Sequence, residues 1–335
     1  MKGAASGMKD EKTCIVLMNM GGPTDLGAVE PFLYNLFMDP DIISIPLGRF
    51  LRPFIARKIA RKRSAKVRGY YEKIGGKSPL LELTRAQAAA LEQALRGDGN
   101  FKTFVAMRYW HPFTEEAVRA VRAENPARVV LLPLYPHYSS TTTGSSLNEF
   151  RRVWTREGRG EVPVVTIEEW HAHEGYIASW VEIIGEMLRA APGREAHLLF
   201  SAHGIPQSLV DGGDPYQRQT EETVRLILEA LGWKGGWSLS YQSRVGPVKW
   251  LEPATDKLLV DLGRQGKERV IMVPISFVSD HSETLYEMDI QYRALAEASG
   301  IGVFERAPVP NCRESFISAL RKIVLSRLPG AKGAA

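Results

Sequence analysis

Thiols are scarce in this chain. Of 335 residues only Cys14 and Cys312 are cysteine, and two separated cysteines make no CxxC pair, no zinc pattern and no iron–sulfur spacing. Cys14 opens an apolar run and reads as core. Long apolar runs are missing as well: none approaches the roughly 18 residues of a membrane span. Residues 1–12 are small and polar and lack the apolar centre of a secretion signal, so they read as a flexible tail on a cytoplasmic protein. No GxGxxG follows the first apolar run and no P-loop occurs, so the nucleotide fingerprints are missing. Acidic residues are absent from one long stretch, Ile42 to Tyr71, where Arg49, Arg52, Arg57, Lys58, Arg61, Lys62, Arg63, Lys66 and Arg68 accumulate.

What is present is an ordinary globular composition, 44% apolar and 24% charged, in a chain long enough for two domains. Eight short apolar runs read as strands: Thr13–Met18, Lys102–Met107, Arg128–Leu134, Val162–Ile167, Ala196–Phe200, Trp237–Tyr241, Glu268–Ile275 and Gly302–Arg306. Helical spacing separates most of them, as in Leu80–Leu95, Thr114–Ala123, Tyr176–Ala190, Pro215–Leu231, Leu251–Arg264, Glu283–Ala298 and Ser315–Leu328. Alternation of this kind predicts an α/β fold with parallel sheets flanked by helices. The strands form two sets of four that echo one another. Cys14–Pro23 matches Leu198–Pro206 with Met20 at the place of His203, Phe104–Pro112 loosely matches Ser238–Pro247, and Arg128–Pro133 matches Arg269–Pro274. Three echoes in one order predict a duplicated domain, with a cleft between the carboxyl ends of the two sets of strands.

Unusual polar residues collect at those strand ends. His203 follows a buried strand and precedes Gly204 and Pro206, at the place where open α/β sheets bind ligands. Ser279 or Asp280 can cap a helix that carries Glu283 and Glu287 on one face. Directed into a cleft, these carboxylates make a row of proton acceptors or hard oxygen ligands; on an exposed face they are commonplace. His281-x-Glu283 lacks the PCxxC of a zinc deaminase, and His171-Ala172-His173 reads as a surface feature. Thr141–Ser146 fits an anion site at a helix start or a set of hydroxyl caps. In the acid-free run, Leu47, Phe50, Leu51, Phe54, Ile55 and Ile59 recur at helical spacing, and Pro53 predicts a break with a second helix starting near it. The run is either a solvated helix on the body or a surface for anionic lipid or an acidic, flat, greasy ligand. Nucleic acid is not expected, because no comparable basic stretch occurs elsewhere.

Taken together, the motifs resemble the ferrochelatases, which insert ferrous iron into a porphyrin at the end of haem synthesis. The resemblance runs from Thr13 to the end. It rests on Asn19–Pro23, Ile74–Pro79, Met107-Arg108-Tyr109, Leu134–Gly144, Ser201–Pro206, Gly213–Tyr216, Tyr241–Pro247 and Ser279–Leu285. It implies two similar Rossmann-like domains around a porphyrin cleft, here 13–170 with 313–335, and 171–312. It implies His203 and Glu283 as the catalytic and metal-handling residues, with Glu287 and Asp280 on a proton or metal path. It implies Met20 opposite His203 across the macrocycle, Arg63, Tyr71 and Ser78 on a porphyrin lip, and Arg108, Tyr109, Tyr135, Trp250, Phe277 and His281 in the cleft. Porphyrin and Fe²⁺ are then the substrates, and no prosthetic group is required.

The chain departs from some members. Those with a [2Fe–2S] cluster have cysteine where this chain has Ser140, and further cysteines in a C-terminal extension, so no cluster is expected. That extension also serves dimer contacts in some members, which leaves the oligomeric state open. Gln291 stands where some members carry a third carboxylate. The Met20 and His281 version of the motifs favours protoporphyrin IX over coproporphyrin III. A sirohydrochlorin or cobalt chelatase fits the lip and the Ser279–Leu285 stretch less well. A non-catalytic haem carrier would need no carboxylate row.

Overall fold

The structure is a computed structural model that describes residues 11–42, 48–158, 161–193, 195–244 and 246–328. Residues 1–10 of the expected tail, Leu47 with the rest of 43–47, the Arg49 side chain and Val245 lie outside the described residues. Two compact units emerge. One comprises the chain through Tyr135, Ser139–Glu169 and the chain from Ile317; the other comprises Pro136–Tyr138 and Trp170–Phe316.

Each unit contains one four-stranded, all-parallel sheet. In the first, the order is β2 (Phe101–Met107), β1 (Thr13–Asn19), β3 (Arg128–Pro133), β4 (Val164–Thr166). In the second it is β6 (Trp237–Gln242), β5 (His197–His203), β7 (Arg269–Pro274), β8 (Val303–Arg306). The inner strands are continuous apolar runs because helices cover both faces: every residue of β1 and of β7 is buried. Outer strands shorten, and β4 keeps only three residues of the longer run read from the sequence. The fold is α/β, as the strand–helix alternation predicts.

The two sheets share more than strand order. In the first, Met18 pairs with Pro133 and accepts a hydrogen bond from Leu134 N. In the second, Ser201 pairs with Pro274 and accepts one from Ile275 N. Met107 N donates to Pro112 O, as Tyr241 N donates to Pro253 O. Counting on from these matched points, Met20 takes the strand position of His203, Arg108 that of Gln242 and Tyr109 that of Ser243.

The order in which strands are added reverses at the first strand of each sheet: β6 lies on one side of β5 and β7 on the other. The crevice at such a switch point, outside the carboxyl ends of the strands, is where open α/β sheets take ligands. His203 ends β5 itself, three residues beyond the end expected at Phe200. Ser201 and Ala202 are short and break the apolar run, yet both remain paired to β6.

The basic stretch differs from expectation. Gly48–Glu72 is one continuous helix with Pro53 inside it. Inside a helix proline removes one intrahelical bond and crowds the carbonyl four residues back, at about 3 kcal/mol; here the later turns continue past it and pack Ala56, Ala60 and Tyr71 into a core with Val29, Phe32, Leu33 and Phe37. Those last four belong to a helix, Val29–Met38, that the sequence reading did not anticipate.

Candidate active site

At the end of β5 the backbone is fixed before any side chain acts. His203 N donates to Ser276 Oγ at 2.8 Å, and the same oxygen accepts from Tyr216 OH at 3.1 Å. Gly204 must be glycine: a Cβ there would lie 2.7 Å from the carbonyl oxygen of Gln242. The chain then bonds to Lys249–Leu251, with Gln207 N on Lys249 O and Leu251 N on Ile205 O, an isolated antiparallel bridge that places Trp250 alongside Pro206.

The imidazole of His203 meets Glu283: Nδ1 lies 2.8 Å from Oε2. A carboxylate accepts, so Nδ1 carries the proton and Nε2 is left for a substrate. The side chain is 37% exposed and that of Glu283 20%, open enough to be reached. Glu283 Oε2 also accepts from Gln242 Nε2 and Ser243 Oγ, both at 3.2 Å. Ser243 Oγ lies 2.7 Å from Glu287 Oε2, and Glu287 Oε1 accepts from Tyr292 OH at 2.8 Å. The result is a continuous polar row, His203–Glu283–Ser243–Glu287–Tyr292. Its two carboxylates stand on a π-helix, Glu283–Tyr292, whose i→i+5 bonding gives wider turns than an α-helix.

The charges follow from this packing. Burial pushes the His203 pKa down, but the charge and hydrogen bond of Glu283 outweigh it, and the pKa ends above the ordinary 6.5. Burial raises Glu283, and the His203 charge and hydrogen bond bring it well below the usual carboxylate value. Burial and the neighbouring Glu283 both raise Glu287, against the bonds from Ser243 and Tyr292. One carboxylate therefore stays ionised beside a cation while the next holds a proton more readily.

His281 is 6% exposed and burial lowers its pKa. Its Nδ1 donates to Ser279 O at 3.2 Å, so the bare Nε2 faces Glu283 Oε1 at 3.8 Å. Phe277 lies between the two histidines, tilted against the His281 ring at 4.5 Å and edge-on to that of His203 at 6.4 Å. Asp280 points its oxygens elsewhere: to Thr284 Oγ1 at 2.8 Å, Asn311 Nδ2 at 2.9 Å and Arg306 Nη1 at 3.2 Å. It reaches the helix start through the Thr284 hydroxyl.

In the other unit, Met20 is half-buried against the core of the Val29–Met38 and Gly48–Glu72 helices. Its carbonyl accepts from Tyr109 N. Tyr109 is itself core, 3% exposed, with its hydroxyl 2.7 Å from Asp39 Oδ2. Arg108 Nη2 lies 3.0 Å from the same oxygen, and its Nε donates to Ser145 Oγ at 2.8 Å. Ser145 also donates to Asp39. Around Thr141–Ser146, Ser145 is engaged by that carboxylate, Ser139 Oγ accepts from Thr141 N, and Thr143 Oγ1 is buried without a hydrogen-bond partner among the described residues. Tyr135, beside Ser146, is raised by burial. Ser78 is buried against Gly22, and its Oγ accepts from Leu80 N, capping the Leu80–Leu95 helix. Tyr71 is core, and the Arg63 guanidinium lies 5.7 Å from the Phe37 ring centre. His171 is buried beside Glu222 and is not a surface feature, whereas His173 stays half-exposed and caps the Glu174–Ala190 helix.

The model of the ferrochelatase family matches residues 12–328. The chain belongs to the ferrochelatase family. A ferrochelatase of Geotalea uraniireducens is 51% identical over 315 residues, covering 94% of this chain and 97% of that one. The ferrochelatase of Gloeobacter violaceus is 46% identical with the same coverages. Among solved structures, SirB from Bacillus subtilis with Fe3+ superposes at a TM-score of 0.56, with 12% identity and 97% and 98% coverage; CbiX gives 0.52, with 13% identity and 95% and 99% coverage. At that identity the likeness is one of fold.

Two residues of this arrangement went unread in the sequence, and two were read without a role: Gln242 and Ser243 fall in the Tyr241–Pro247 motif, but nothing there assigns them to the Glu283 carboxylate. Tyr292 stands five residues after Glu287, outside α-helical spacing but one π-turn on. Asp39 ends a helix that the sequence reading did not anticipate.

Proposed function

We propose that the chain inserts Fe²⁺ into protoporphyrin IX to give protohaem, with release of two protons, the terminal step of haem synthesis. The observation that carries this reading is the row His203–Glu283–Ser243–Glu287 at the β5/β7 crevice, in a chain of this family. A free-base porphyrin must lose two N–H protons as the metal enters, so the site must accept protons and offer the iron a path.

Neutral His203 accepts a pyrrole proton at Nε2, and Glu283 stabilises the imidazolium that forms. Glu287, whose proton affinity is raised, takes a proton onward through the Ser243 hydroxyl. Imidazole and carboxylate oxygen also suit ferrous iron, so His203 and Glu283 are the pair to hold it. Trp250, alongside Pro206, and Phe277, edge-on to the His203 ring, shape the site beside the imidazole. Met20 and His281 favour protoporphyrin IX as substrate. No resident cofactor takes part: Ser140 replaces a cluster cysteine, and Cys14 is buried.

Among the described residues no helix is long and apolar enough to cross a membrane. The basic helix exposes Phe50, Leu51 and Phe54, at 74%, 47% and 75%, along the chain from Arg57, Lys58, Arg61 and Lys62. This combination supports peripheral contact with an anionic membrane.

The test is iron insertion by the purified chain, with kcat/KM compared for protoporphyrin IX and coproporphyrin III. Preference for protoporphyrin supports the reading; preference for coproporphyrin overturns the substrate assignment. Tight porphyrin or haem binding with no insertion overturns the enzyme in favour of a carrier.

A further inference from the structure

Arg306 ends β8, the edge strand of the second sheet, in register with Met272 of β7. Its guanidinium is 11% exposed and lies between two carboxylates. Nε and Nη2 approach Asp289 Oδ2 at 2.9 and 2.8 Å, and Nη1 approaches Asp280 Oδ1 at 3.2 Å. Asp280 stands just before the π-helix and Asp289 within it. Glu283 and Glu287 lie between these two points of attachment in the chain.

Both points are braced further. Asp280 N donates to Asn311 Oδ1 at 3.1 Å while Asn311 Nδ2 returns a bond to Asp280 at 2.9 Å. Arg293, one turn beyond Asp289, donates to the carbonyls of Asp289 and Phe304, and the second of these again lies in β8. A π-helix of ten residues is rare, since such bonding is usually confined to a single turn. Something outside the segment must hold its register, and the fork of one guanidinium on two carboxylates is suited to do so.

We propose that Arg306 is a positioning residue for iron insertion, fixing the π register that sets Glu283 and Glu287 at their spacing around Ser243. It touches neither of them and acts through Asp280 and Asp289. If the segment slipped to α register, Tyr292 and Glu287 would no longer be turn neighbours, and the carboxylates would rotate away from Ser243. The inference rests on the iron-insertion reading above.

The experiment compares wild type, Arg306→Gln, Asp289→Asn and the double variant. Thermal midpoint, protoporphyrin affinity by fluorescence quenching, and kcat with KM for Fe²⁺ are measured on each. Misplacement by about 1 Å costs on the order of 10²-fold in rate. Arg306→Gln should thus lose about 10²-fold in kcat with protoporphyrin affinity within about twofold of wild type. Asp289→Asn should lose less, since Arg306 keeps Asp280, and the double variant should lose less than the product of the two single losses, because the Arg306–Asp289 contact is shared between them. Wild-type kcat in folded Arg306→Gln overturns the inference; so does a loss matched by lost porphyrin binding, or losses that multiply in the double variant. If Arg306→Gln does not fold, unchanged kcat in Asp289→Asn overturns it, and a reduced kcat at unchanged porphyrin affinity upholds it. A wild-type chain that inserts no iron defeats the enzymatic reading itself, a result distinct from any of these.

Discussion

Ser243 Oγ lies 2.7 Å from Glu287 Oε2, and its hydroxyl has only one proton to share between that oxygen and Glu283 Oε2 at 3.2 Å. The bond lowers the proton affinity of both carboxylates. Ser243→Ala therefore raises both pKa values, Glu287 from a level that burial and Glu283 already lift. A hydrogen bond to a charged group is worth about 1.5–3 kcal/mol, so kcat near neutral pH should fall by about tenfold or more. Raising the pH should restore the part of the loss that comes from excess protonation and leave the part that comes from the broken relay through the hydroxyl. A deficit in kcat that is the same at every pH would show that Ser243 does not tune the row.

His203 makes a second pH prediction. An imidazole must be neutral to accept a pyrrole proton, and Glu283 holds this one above 6.5. Hence kcat/KM should rise with pH through an apparent pKa above 6.5. Glu283→Gln removes the two main causes of the upward shift and leaves burial, which acts downward, against the smaller upward pull of Glu287, so the acid limb of the residual activity should move to lower pH. His203→Ala should cost about 10²–10⁴-fold in kcat, the usual contribution of a positioned proton acceptor, while porphyrin still binds. Retention of more than about half the wild-type kcat would remove His203 from the mechanism.

Much of this arrangement was legible because it rests on local chemistry. Buried parallel strands write themselves as apolar runs, and His203 at a strand end, with Glu283 and Glu287 on the helix that follows β7, stand out against them. The duplication was legible for the same reason, and the paired positions of Pro133 and Pro274 carry it into the structure. What stayed hidden depended on geometry that sequence periodicity does not encode. Ser243 adopts φ 65°, a left-handed conformation uncommon for serine, which nothing in the sequence marks. Reading in steps of four put Gln291, not Tyr292, next in line after Glu287. Pro53 suggested a helix break, although the cost of that one proline is outweighed by the packing of later turns.

Gly204 offers a test of the scaffold beneath the site. A methyl group there would meet the Gln242 carbonyl oxygen at 2.7 Å, closer than van der Waals contact permits. That oxygen also accepts from Gly204 N, so it cannot move without disturbing the β5–β6 end that carries His203 and Gln242. Overpacking of this kind typically costs about 1–3 kcal/mol. Gly204→Ala should lower the thermal midpoint and reduce kcat more than it weakens porphyrin binding. An unchanged midpoint together with unchanged kcat would mean that the strand end yields freely.

The basic helix yields the last prediction, and two independent sets of substitutions separate its components. Arg57, Lys58, Arg61 and Lys62 supply charge, while Phe50 and Phe54 supply exposed apolar surface at 74% and 75%. Near an anionic bilayer each basic residue contributes about 1 kcal/mol, so replacing all four with glutamine should weaken binding to anionic vesicles by about 10²–10³-fold at low salt. Salt should weaken wild-type binding in the same way, since exposed charges are screened over about 8 Å at physiological ionic strength. Phe50→Ser with Phe54→Ser should weaken binding with the salt dependence intact, because it removes inserted area and no charge. Vesicle co-sedimentation over a salt series reads both effects. Equal partitioning of wild type onto neutral and anionic vesicles would exclude charge from the contact. Loss of binding in the glutamine variant alone would mean that the phenylalanines stay out of the bilayer.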